Sequence, residues 1–236
     1  MSAFQFKQFA IKHVQSAFKV GTDAVLLGAW VPIPSPCEHI LDIGSGCGII
    51  SLMLAQRSNA QIIGIDIDKL SVEEAIENAN NSQWKNRIKF INSSIQSFCT
   101  PEYQNKFDLI VSNPPFFVNS LKSPIYKRNI SRHTGTLPFE ELILSVDYCL
   151  SFSGQFAIII PDTEKDRIQL LCKNQGLFCT KILQIQPIEN KAVNRIILLF
   201  SRKEKPLQIE NISIRNTNKE YTLPYQLLTK GFYLNF

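Results

Sequence analysis

The stretch "LDIGSGCG" (residues 41–48) decides how the rest of the sequence is interpreted. The apolar run "HILDIG" (39–44) leads into it, and "IISLMLAQR" (49–57), long enough for a short helix, follows it. Glycines are needed where a turn takes left-handed backbone angles or where the backbone closely approaches a ligand. The stretch therefore predicts a strand, a ligand-binding turn and a helix, although a tight turn without a ligand would also satisfy the pattern.

Outward from this turn, strand-like and helix-like segments alternate from residue 38 to about 161. "QIIGID" (61–66), "RIKFI" (87–91) and "KFDLIVS" (106–112) are apolar runs typical of buried strands. After Asp66, apolar residues at i, i+3, i+4 and i+7 predict an amphipathic helix. Such alternation is typical of a parallel sheet covered by helices. We predict an α/β fold with about seven strands, mostly parallel, of which the last is antiparallel.

Two further pieces flank this core. "FQFKQFAIKH" (4–13) predicts a short hairpin, and the segment 207–236 predicts two short strands followed by an aromatic tail. Thr163 and Asp166 have the spacing of a capping box that would begin a helix ending at Gly176. No repeat or linker marks a boundary, so we expect one domain over residues 1–236. It would comprise an N-terminal hairpin and closing segment (1–37), a Rossmann-like core (38–202) and a C-terminal extension (203–236).

Composition argues against a membrane protein, a secreted protein and a metal-binding protein. The chain has 236 residues, is 44% hydrophobic and carries a net charge of +5, which is ordinary for a globular protein with one sizeable core. No apolar stretch reaches the length of a membrane span, and the first 25 residues contain no apolar run of the kind found in signal peptides, so we expect a cytoplasmic protein. The six cysteines form no CxxC pair and do not cluster with the three histidines, which predicts reduced thiols and no metal site.

Asp66 gives the glycine turn a second signal. It ends the next predicted strand, about twenty residues beyond the turn, where a carboxylate can accept the hydroxyls of a ribose. The glycine spacing is G-x-G-x-G, because Ile49 stands where a dinucleotide fingerprint would have glycine, and no lysine follows. This argues against a pyrophosphate cradle and against a P-loop.

"NPPFF" (113–117) ends the apolar run of the fourth core strand. It offers an amide acceptor, a carbonyl whose direction the prolines restrict, and aromatic faces on which a planar group could stack. A stiff turn is the alternative. No acidic residue lies between Asp108 and Glu140, a stretch that is otherwise basic, so it predicts either an anionic partner or a solvated loop. Its basic side chains and histidine are Lys122, Lys127, Arg128, Arg132 and His133.

"LDIGSGCG" resembles motif I of the class I S-adenosyl-L-methionine-dependent methyltransferases. "NPPF" (113–116) resembles the [DNS]-P-P-[YFW] signature of those members that methylate a nitrogen conjugated with a π-system. The resemblance implies a Rossmann-like fold with helices on both faces and S-adenosyl-L-methionine as methyl donor, giving S-adenosyl-L-homocysteine. It also implies direct in-line transfer without a metal. The cofactor contacts that it implies are Thr22, Asp23, Asp42, Gly44, Ser45, Gly46, Gly48, Asp66, Ile67, Ser94 and Asn113.

Three of these assignments have alternatives. Asp42 would bind the methionine amino group or simply bond to backbone at its strand end. Thr22 and Asp23 would close over the cofactor or cap a helix. The family often has an acid or amide where this chain has Ser94, which would use its hydroxyl or its backbone N–H to read the adenine.

The catalytic assignment rests on the same resemblance. The Asn113 side-chain oxygen and the Pro114 carbonyl would accept the two N–H groups of the target amine, which favours localisation of its lone pair. Pro115 would restrict the backbone, and Phe116 would stack on the extruded base. Phe117 either lines the pocket or faces the core. The residues implied to contact substrate RNA are Phe117, Lys122, Lys127, Arg128, Arg132 and His133, and Lys203, Lys205 and Lys230 would extend this surface.

The flanking segments narrow the resemblance. "FKQF" (6–9), "KVGTDAVLLGAW" (19–30) and "RHT" (132–134), with the C-terminal tail, are similar to the bacterial tRNA1(Val) (adenine-37-N6)-methyltransferase family from about residue 4 to 235. This implies methylation of N6 of adenosine 37 in the anticodon loop of a valine tRNA, and we expect the protein to act as a monomer. The alternatives are an N-methyltransferase of another RNA (rRNA adenine N6 or guanine N2) or of a protein glutamine amide, and a non-catalytic cofactor-sensing RNA-binding module.

Overall fold

The computed structural model describes residues 3–16, 19–115 and 137–236. The strands are β1 (Phe4–Gln5), β2 (Ala10–Ile11), β3 (His39–Ile43), β4 (Gln61–Asp66), β5 (Ile88–Asn92), β6 (Phe107–Ser112), β7 (Leu150–Pro161), β8 (Phe178–Ile188), β9 (Arg195–Ser201) and β10 (Gln208–Arg215). The α-helices are α1 (Thr22–Trp30), α2 (Ile49–Arg57), α3 (Lys69–Asn80), α4 (Ile95–Phe98), α5 (Phe139–Cys149), α6 (Lys165–Asn174) and α7 (Leu223–Thr229).

Eight of these strands form one sheet in the order β10-β8-β9-β7-β6-β3-β4-β5. Strand β9 runs antiparallel to both of its neighbours, and the remaining pairs in the described sheet are parallel. The predicted Rossmann-like fold and the antiparallel strand are confirmed. The predicted number of strands is one too few, because β10 of the C-terminal extension pairs alongside β8. The second strand predicted there is only a bridge between Arg215 and Tyr221.

Successive side chains of a strand point to opposite faces of the sheet, and both faces are covered here. Ile40 and Leu41 of β3 are both fully buried, yet they belong to different apolar clusters. Helices α1, α2 and α3 contribute to the cluster around Ile40, whereas α5 and α6 contribute to the cluster around Leu41. The prediction of helices on both faces is therefore confirmed.

Helix α6 begins differently from the sequence prediction. A 3-10 turn occupies Asp162–Glu164, so Thr163 lies inside a turn, and the N-cap position belongs to Glu164 without a side-chain hydrogen bond. The predicted capping box is therefore wrong. Gly176 follows the helix at φ +69°, as predicted. In the part of the chain that the structure describes, no helix is both long and apolar enough to span a membrane.

The predicted N-terminal hairpin is present as β1–β2 and packs against the C-terminal tail. The Lys7 backbone N–H donates to the Phe232 carbonyl over 2.7 Å. The Lys7 ammonium donates to the carbonyls of Lys230 and Phe236 over 2.6 and 2.7 Å. The ring of Phe6 stacks on that of Tyr233 with centroids 5.7 Å apart. The hairpin is thus held by the far end of the chain.

Candidate active site

The glycine turn joins β3 to α2 through three left-handed residues. Gly44, Gly46 and Gly48 have φ angles of +74°, +52° and +83°, which strain any residue with a side chain. The backbone N–H groups of Gly44 and Ser45 both donate to the Ile65 carbonyl, over 2.9 and 3.0 Å. The turn is therefore fixed to the end of β4, the strand that carries Asp66.

The three glycines have different steric surroundings. A Cβ added at Gly48 would lie 2.6 Å from Cζ of Phe90, so this glycine permits close helix–sheet packing. A Cβ added at Gly44 or Gly46 would meet no described atom within 4 Å. These two positions leave the turn's backbone accessible from outside the protein, as approach by a ligand requires. Ser45 is buried, and its hydroxyl has no hydrogen-bond partner within the described residues.

Asp66 is held against the glycine turn by backbone amides. Its Oδ2 accepts from the Gly46 N–H and its Oδ1 from the Asp68 N–H, each over 2.9 Å. The adjoining Ile67 side chain is 51% exposed, which places an apolar surface beside the carboxylate. Sequence reasoning missed Asn92, whose side-chain amide donates to the carbonyls of Asp66 and Ile67 over 3.0 Å. Its position at the end of the neighbouring strand was the signal that could have identified it.

Asp42 is fully buried under the turn with one oxygen paired and one unpaired. Oδ2 accepts from the Ser51 backbone N–H over 3.1 Å and from the Ser51 hydroxyl over 2.7 Å. Oδ1 is buried with no hydrogen-bond partner in the part of the chain described. Burial raises the pKa of the Asp42 carboxyl to about 7, although the Ser51 hydrogen bonds oppose the shift. Since an unpaired buried acceptor is costly, this oxygen suits a cationic donor from a ligand.

The strand register brings the separate motifs to one edge of the sheet. Ile43 pairs with Ile65 on one side and with Ser112 on the other, and the Ser112 hydroxyl donates to the Ile43 carbonyl over 3.0 Å. The residue after each of these, Gly44, Asp66 and Asn113, therefore stands at the carboxyl ends of three adjacent parallel strands. Ligands of open α/β sheets bind at this edge.

The residues after Ser112 continue the same edge. Asn113 is partly exposed, Pro114 is buried and Pro115 is exposed. The structure thus brings the first three residues of the predicted catalytic motif beside the glycine turn. The other residues predicted for catalysis and RNA contact lie outside the described residues: Phe116, Phe117, Lys122, Lys127, Arg128, Arg132 and His133.

Thr22 and Asp23 form the first turn of α1, but neither caps it. The N-cap position is Gly21, which makes no side-chain hydrogen bond, so the capping alternative is wrong. The Asp23 carboxylate accepts from the Arg195 guanidinium over 2.9 Å. Arg195 begins β9, and because β9 is antiparallel it pairs with Pro161 at the carboxyl end of β7. Asp23 therefore lies at the site's edge of the sheet, paired with a cation that sequence reasoning had not identified.

Ser94 has a structural partner. It is the N-cap residue of α4, where its hydroxyl accepts from the Ser97 backbone N–H over 3.2 Å. Its predicted contact with adenine stays a prediction. Among the described residues, no group of three or more His, Cys, Asp or Glu side chains could hold a metal ion.

Lys203 and Lys205 are far from the position that the sequence suggested. Ser201, the last residue of β9, pairs with Gln155 near the start of the parallel part of β7 and with Phe178 at the start of β8. The link that carries Lys203 and Lys205 from β9 to β10 thus lies at the amino edge of the sheet, opposite Asp66 and Asn113. This position, away from the proposed site, argues against the expectation that they extend the RNA surface.

Comparison with known proteins agrees with this arrangement. A family model described as "Methyltransferase domain" matches residues 35–221. Three similar proteins named tRNA1(Val) (adenine(37)-N6)-methyltransferase come from Flavobacterium psychrophilum, Bacteroides fragilis and Trichodesmium erythraeum. The first is 40% identical over 98% of this chain and 99% of its own length. The second is 38% identical over 98% and 97%, and the third is 40% identical over 99% and 98%.

Solved structures share the fold at lower identity. A predicted O-methyltransferase from Agrobacterium tumefaciens superposes with a TM-score of 0.67 and 19% identity, over 89% of this chain and 96% of the other. A TehB-like S-adenosyl-L-methionine-dependent methyltransferase from Corynebacterium glutamicum has a TM-score of 0.51 and 16% identity, over 79% and 90%. With relatives near 40% identity over almost the whole length of both chains, this protein belongs to the tRNA1(Val) (adenine(37)-N6)-methyltransferase family.

Proposed function

We propose that the protein transfers the methyl group of S-adenosyl-L-methionine to N6 of adenosine 37 in the anticodon loop of tRNA1(Val). The observation that carries this proposal is the register of β4, β3 and β6, which places Asp66, the glycine turn and Asn113 side by side. A site for a nucleoside-bearing donor and a site for an amine acceptor are then adjacent. The substrate named for the relatives supplies the particular nucleotide.

The residues at the turn fit this donor. The unpaired Oδ1 of Asp42 would accept from its ammonium group. The carboxylate of Asp66 would accept from its ribose hydroxyls, and the exposed Ile67 would contact its adenine. Gly44 and Gly46 leave the backbone open to its methionine portion. Ser45, Gly48, Thr22, Asp23 and Ser94 complete the proposed contacts.

The donor, when bound, supplies a methyl group on a sulfonium. The nitrogen to be methylated is a poor nucleophile because its lone pair is delocalised into the adenine ring. Asn113 and Pro114 would each accept one of its N–H groups, which orients the amine and favours a localised lone pair. Since Pro114 and Pro115 restrict the backbone, the accepting carbonyl keeps its direction. Phe116 would stack on the flipped base, at about 1–3 kcal/mol per stacked base.

The RNA-binding part of the proposal rests on charge. Lys122, Lys127, Arg128 and Arg132, with His133 and Phe117, directly follow the catalytic motif in a stretch without acids. They would contact the phosphates of the anticodon stem-loop. We further propose that residues 1–236 act as one methyltransferase domain, because the N-terminal hairpin packs against the C-terminal tail.

The test uses the purified protein, S-adenosyl-L-methionine with an isotopically labelled methyl group, and a tRNA1(Val) transcript. After nuclease digestion, mass spectrometry should locate one N6-methyladenosine, at position 37. A transcript with guanosine at position 37 is the matched control and should remain unlabelled. Label on the control, or at another position of the normal transcript, would refute the assignment to adenosine 37.

A further inference from the structure

Two side chains of α3 bind the backbone of the segment that follows the N-terminal hairpin. The Glu74 carboxylate is buried and accepts from the backbone N–H groups of Val14, Gln15 and Ser16, over 2.6, 3.1 and 2.9 Å. It also accepts from the Ser16 hydroxyl. Asn78, one turn further along the same helix face, accepts from the Lys12 N–H over 2.9 Å and donates to the Lys12 carbonyl over 2.8 Å.

The contacts with α3 hold a segment that has no regular secondary structure. Residues 12–16 belong to no helix or strand, and the Val14 side chain is 53% exposed. The backbone N–H groups of residues 14–16 instead converge on one carboxylate. Burial by itself would raise the pKa of the Glu74 carboxyl, but the hydrogen bonds from Ser16, Gln15 and Val14 outweigh it and lower the pKa. Glu74 is therefore ionised at neutral pH, and hydrogen bonds to a charged acceptor are the stronger kind.

The same two side chains connect the segment to the glycine turn. The Asn78 amide that bonds to Lys12 also donates to the Cys47 carbonyl, over 2.9 Å. Cys47 lies between Gly46, which bonds to Asp66, and the tightly packed Gly48. At the other end, Nδ1 of His13 accepts from the Val20 N–H over 2.9 Å, two residues before α1 begins at Thr22. The segment thus bridges the turn and the start of α1.

We propose that Glu74 and Asn78 are positioning residues of the cofactor site. They fix residues 12–16 to the glycine turn, and through the hydrogen bond between His13 and Val20 this segment positions the start of α1, with Thr22 and Asp23, before S-adenosyl-L-methionine binds. Neither residue touches the reacting atoms; both act through the backbone that they hold. This inference rests on the proposed function, because it assigns the segment to a methyl-donor site.

The test compares Glu74→Gln with Glu77→Gln. Glutamine at position 74 keeps one acceptor oxygen and turns an amide NH2 toward backbone N–H groups, so two donors face each other. Glu77 is the matched control, since its carboxylate lies on the same helix, is half-exposed and pairs with the Lys12 side chain. Two quantities are measured in the full-length protein: the rate of tryptic cleavage after Lys19, and the Kd of S-adenosyl-L-homocysteine by calorimetry.

We expect Glu74→Gln to be cleaved faster after Lys19 and to bind S-adenosyl-L-homocysteine about tenfold more weakly. A loss of that size corresponds to a docked segment that is populated about one-tenth of the time. The KM for S-adenosyl-L-methionine should rise with kcat unchanged, whereas Glu77→Gln should match the natural protein. Faster cleavage with an unchanged Kd would overturn the proposal.

A milder variant covers the case in which Glu74→Gln does not fold. Ser16→Ala removes only the hydrogen bond from the Ser16 hydroxyl to the Glu74 carboxylate. It should shift the cleavage rate and the Kd in the same direction, each by about two- to threefold, and faster cleavage at an unchanged Kd would again refute the proposal. If the natural protein bound no S-adenosyl-L-homocysteine, the proposed function would fail instead, while the cleavage rates would still report whether Glu74 holds the segment.

Discussion

Gly48 lies directly against the ring of Phe90, and an added Cβ would come within 2.6 Å of the ring's Cζ atom. Gly46, two residues earlier in the same turn, has no described atom within 4 Å of the corresponding point. Both residues are left-handed, so a side chain strains the backbone at either one. They differ in what takes the space where a side chain would be: the protein's own core at Gly48 and, in the proposed function, a bound ligand at Gly46.

Alanine at these two positions should therefore affect different properties. Gly48→Ala should lower the free energy of unfolding by about 3 kcal/mol, because backbone strain and overpacking add together. Gly46→Ala should lower it by about 1 kcal/mol, from strain alone, while weakening the binding of S-adenosyl-L-homocysteine more strongly. Urea denaturation and calorimetry measure the two quantities. Equal losses of stability would contradict the assignment of Gly48 to packing.

Ligand binding should release a proton from Asp42. Its pKa is raised to about 7, so the carboxyl of the free protein is largely protonated at pH 6. An ammonium group needs the carboxylate, and the affinity for S-adenosyl-L-homocysteine should therefore fall by up to about tenfold per pH unit below 7. Titrations at pH 6, 7 and 8, in buffers of different ionisation enthalpy, measure this release. A constant affinity across that range would argue against contact with Asp42.

The same group should make the free protein less stable as the pH rises. The folded-state pKa of Asp42 lies above the ordinary value, so folding favours the neutral form of this carboxyl. The contribution of Asp42 to stability is therefore fully present below about pH 4 and is lost as the pH rises toward 7. Asp42→Asn should remove this contribution to the pH dependence and should also weaken ligand binding. Thermal unfolding of the two proteins from pH 5 to pH 8 tests the difference.

Asn113 should matter more for turnover than for donor binding. Asn113→Ala removes one of the two proposed acceptors of the adenine amine, and the loss of one such preorganised group costs about 10²–10³ in rate. Single-turnover methylation of tRNA1(Val) should slow by that factor, while S-adenosyl-L-homocysteine binding stays measurable by calorimetry. Near-normal turnover would remove Asn113 from the catalytic assignment.

Charge reversal after the catalytic motif should weaken tRNA binding. Lys127→Glu with Arg128→Glu should reduce the affinity and flatten its dependence on salt, since fewer counterions are released. Lys203→Glu with Lys205→Glu changes the net charge equally but at the amino edge of the sheet, away from Asp66 and Asn113. The second variant should bind tRNA nearly as the natural protein does. Equal losses in both would indicate a general charge effect and not a contact surface.

Sequence reasoning located residues correctly where their position follows from the assignment of strands. Asp42, Asp66 and Asn113 each lie within one residue of the end of an apolar strand. Parallel strands deliver their carboxyl ends to one edge, so the grouping of these residues followed from the strand assignment. Lys203 and Lys205 follow β9, whose antiparallel direction was predicted and sends the residues after it to the amino edge of the sheet, but the expectation for these two lysines did not take that direction into account. Strand β10 was not placed in that sheet because five of its eight residues, including Glu210 and Asn211, are polar, and its partner β8 is distant in sequence.

Glu74 and Asn78 show another limit of the sequence. Polar residues at i and i+4 on an amphipathic helix normally form its solvated face, and nothing local marks these two as buried. Their partners lie about sixty residues earlier in the chain, within a stretch that has no periodicity. The hydrogen bonds from Ser51 to Asp42 could not be predicted from the sequence either, because they depend on the burial of Asp42.

The contact between Lys7 and the tail has a consequence for the order of folding. The carbonyls of Lys230 and Phe236 that receive its ammonium lie 223 and 229 residues away, and the ring that stacks on Phe6 belongs to Tyr233. A chain emerging from the ribosome presents β1 and β2 well before residues 230–236, and contacts across such a separation close late. We expect the sheet to form while the β1–β2 hairpin still lacks its contacts to residues 230–236, so the hairpin packs against this tail only after those residues are synthesised.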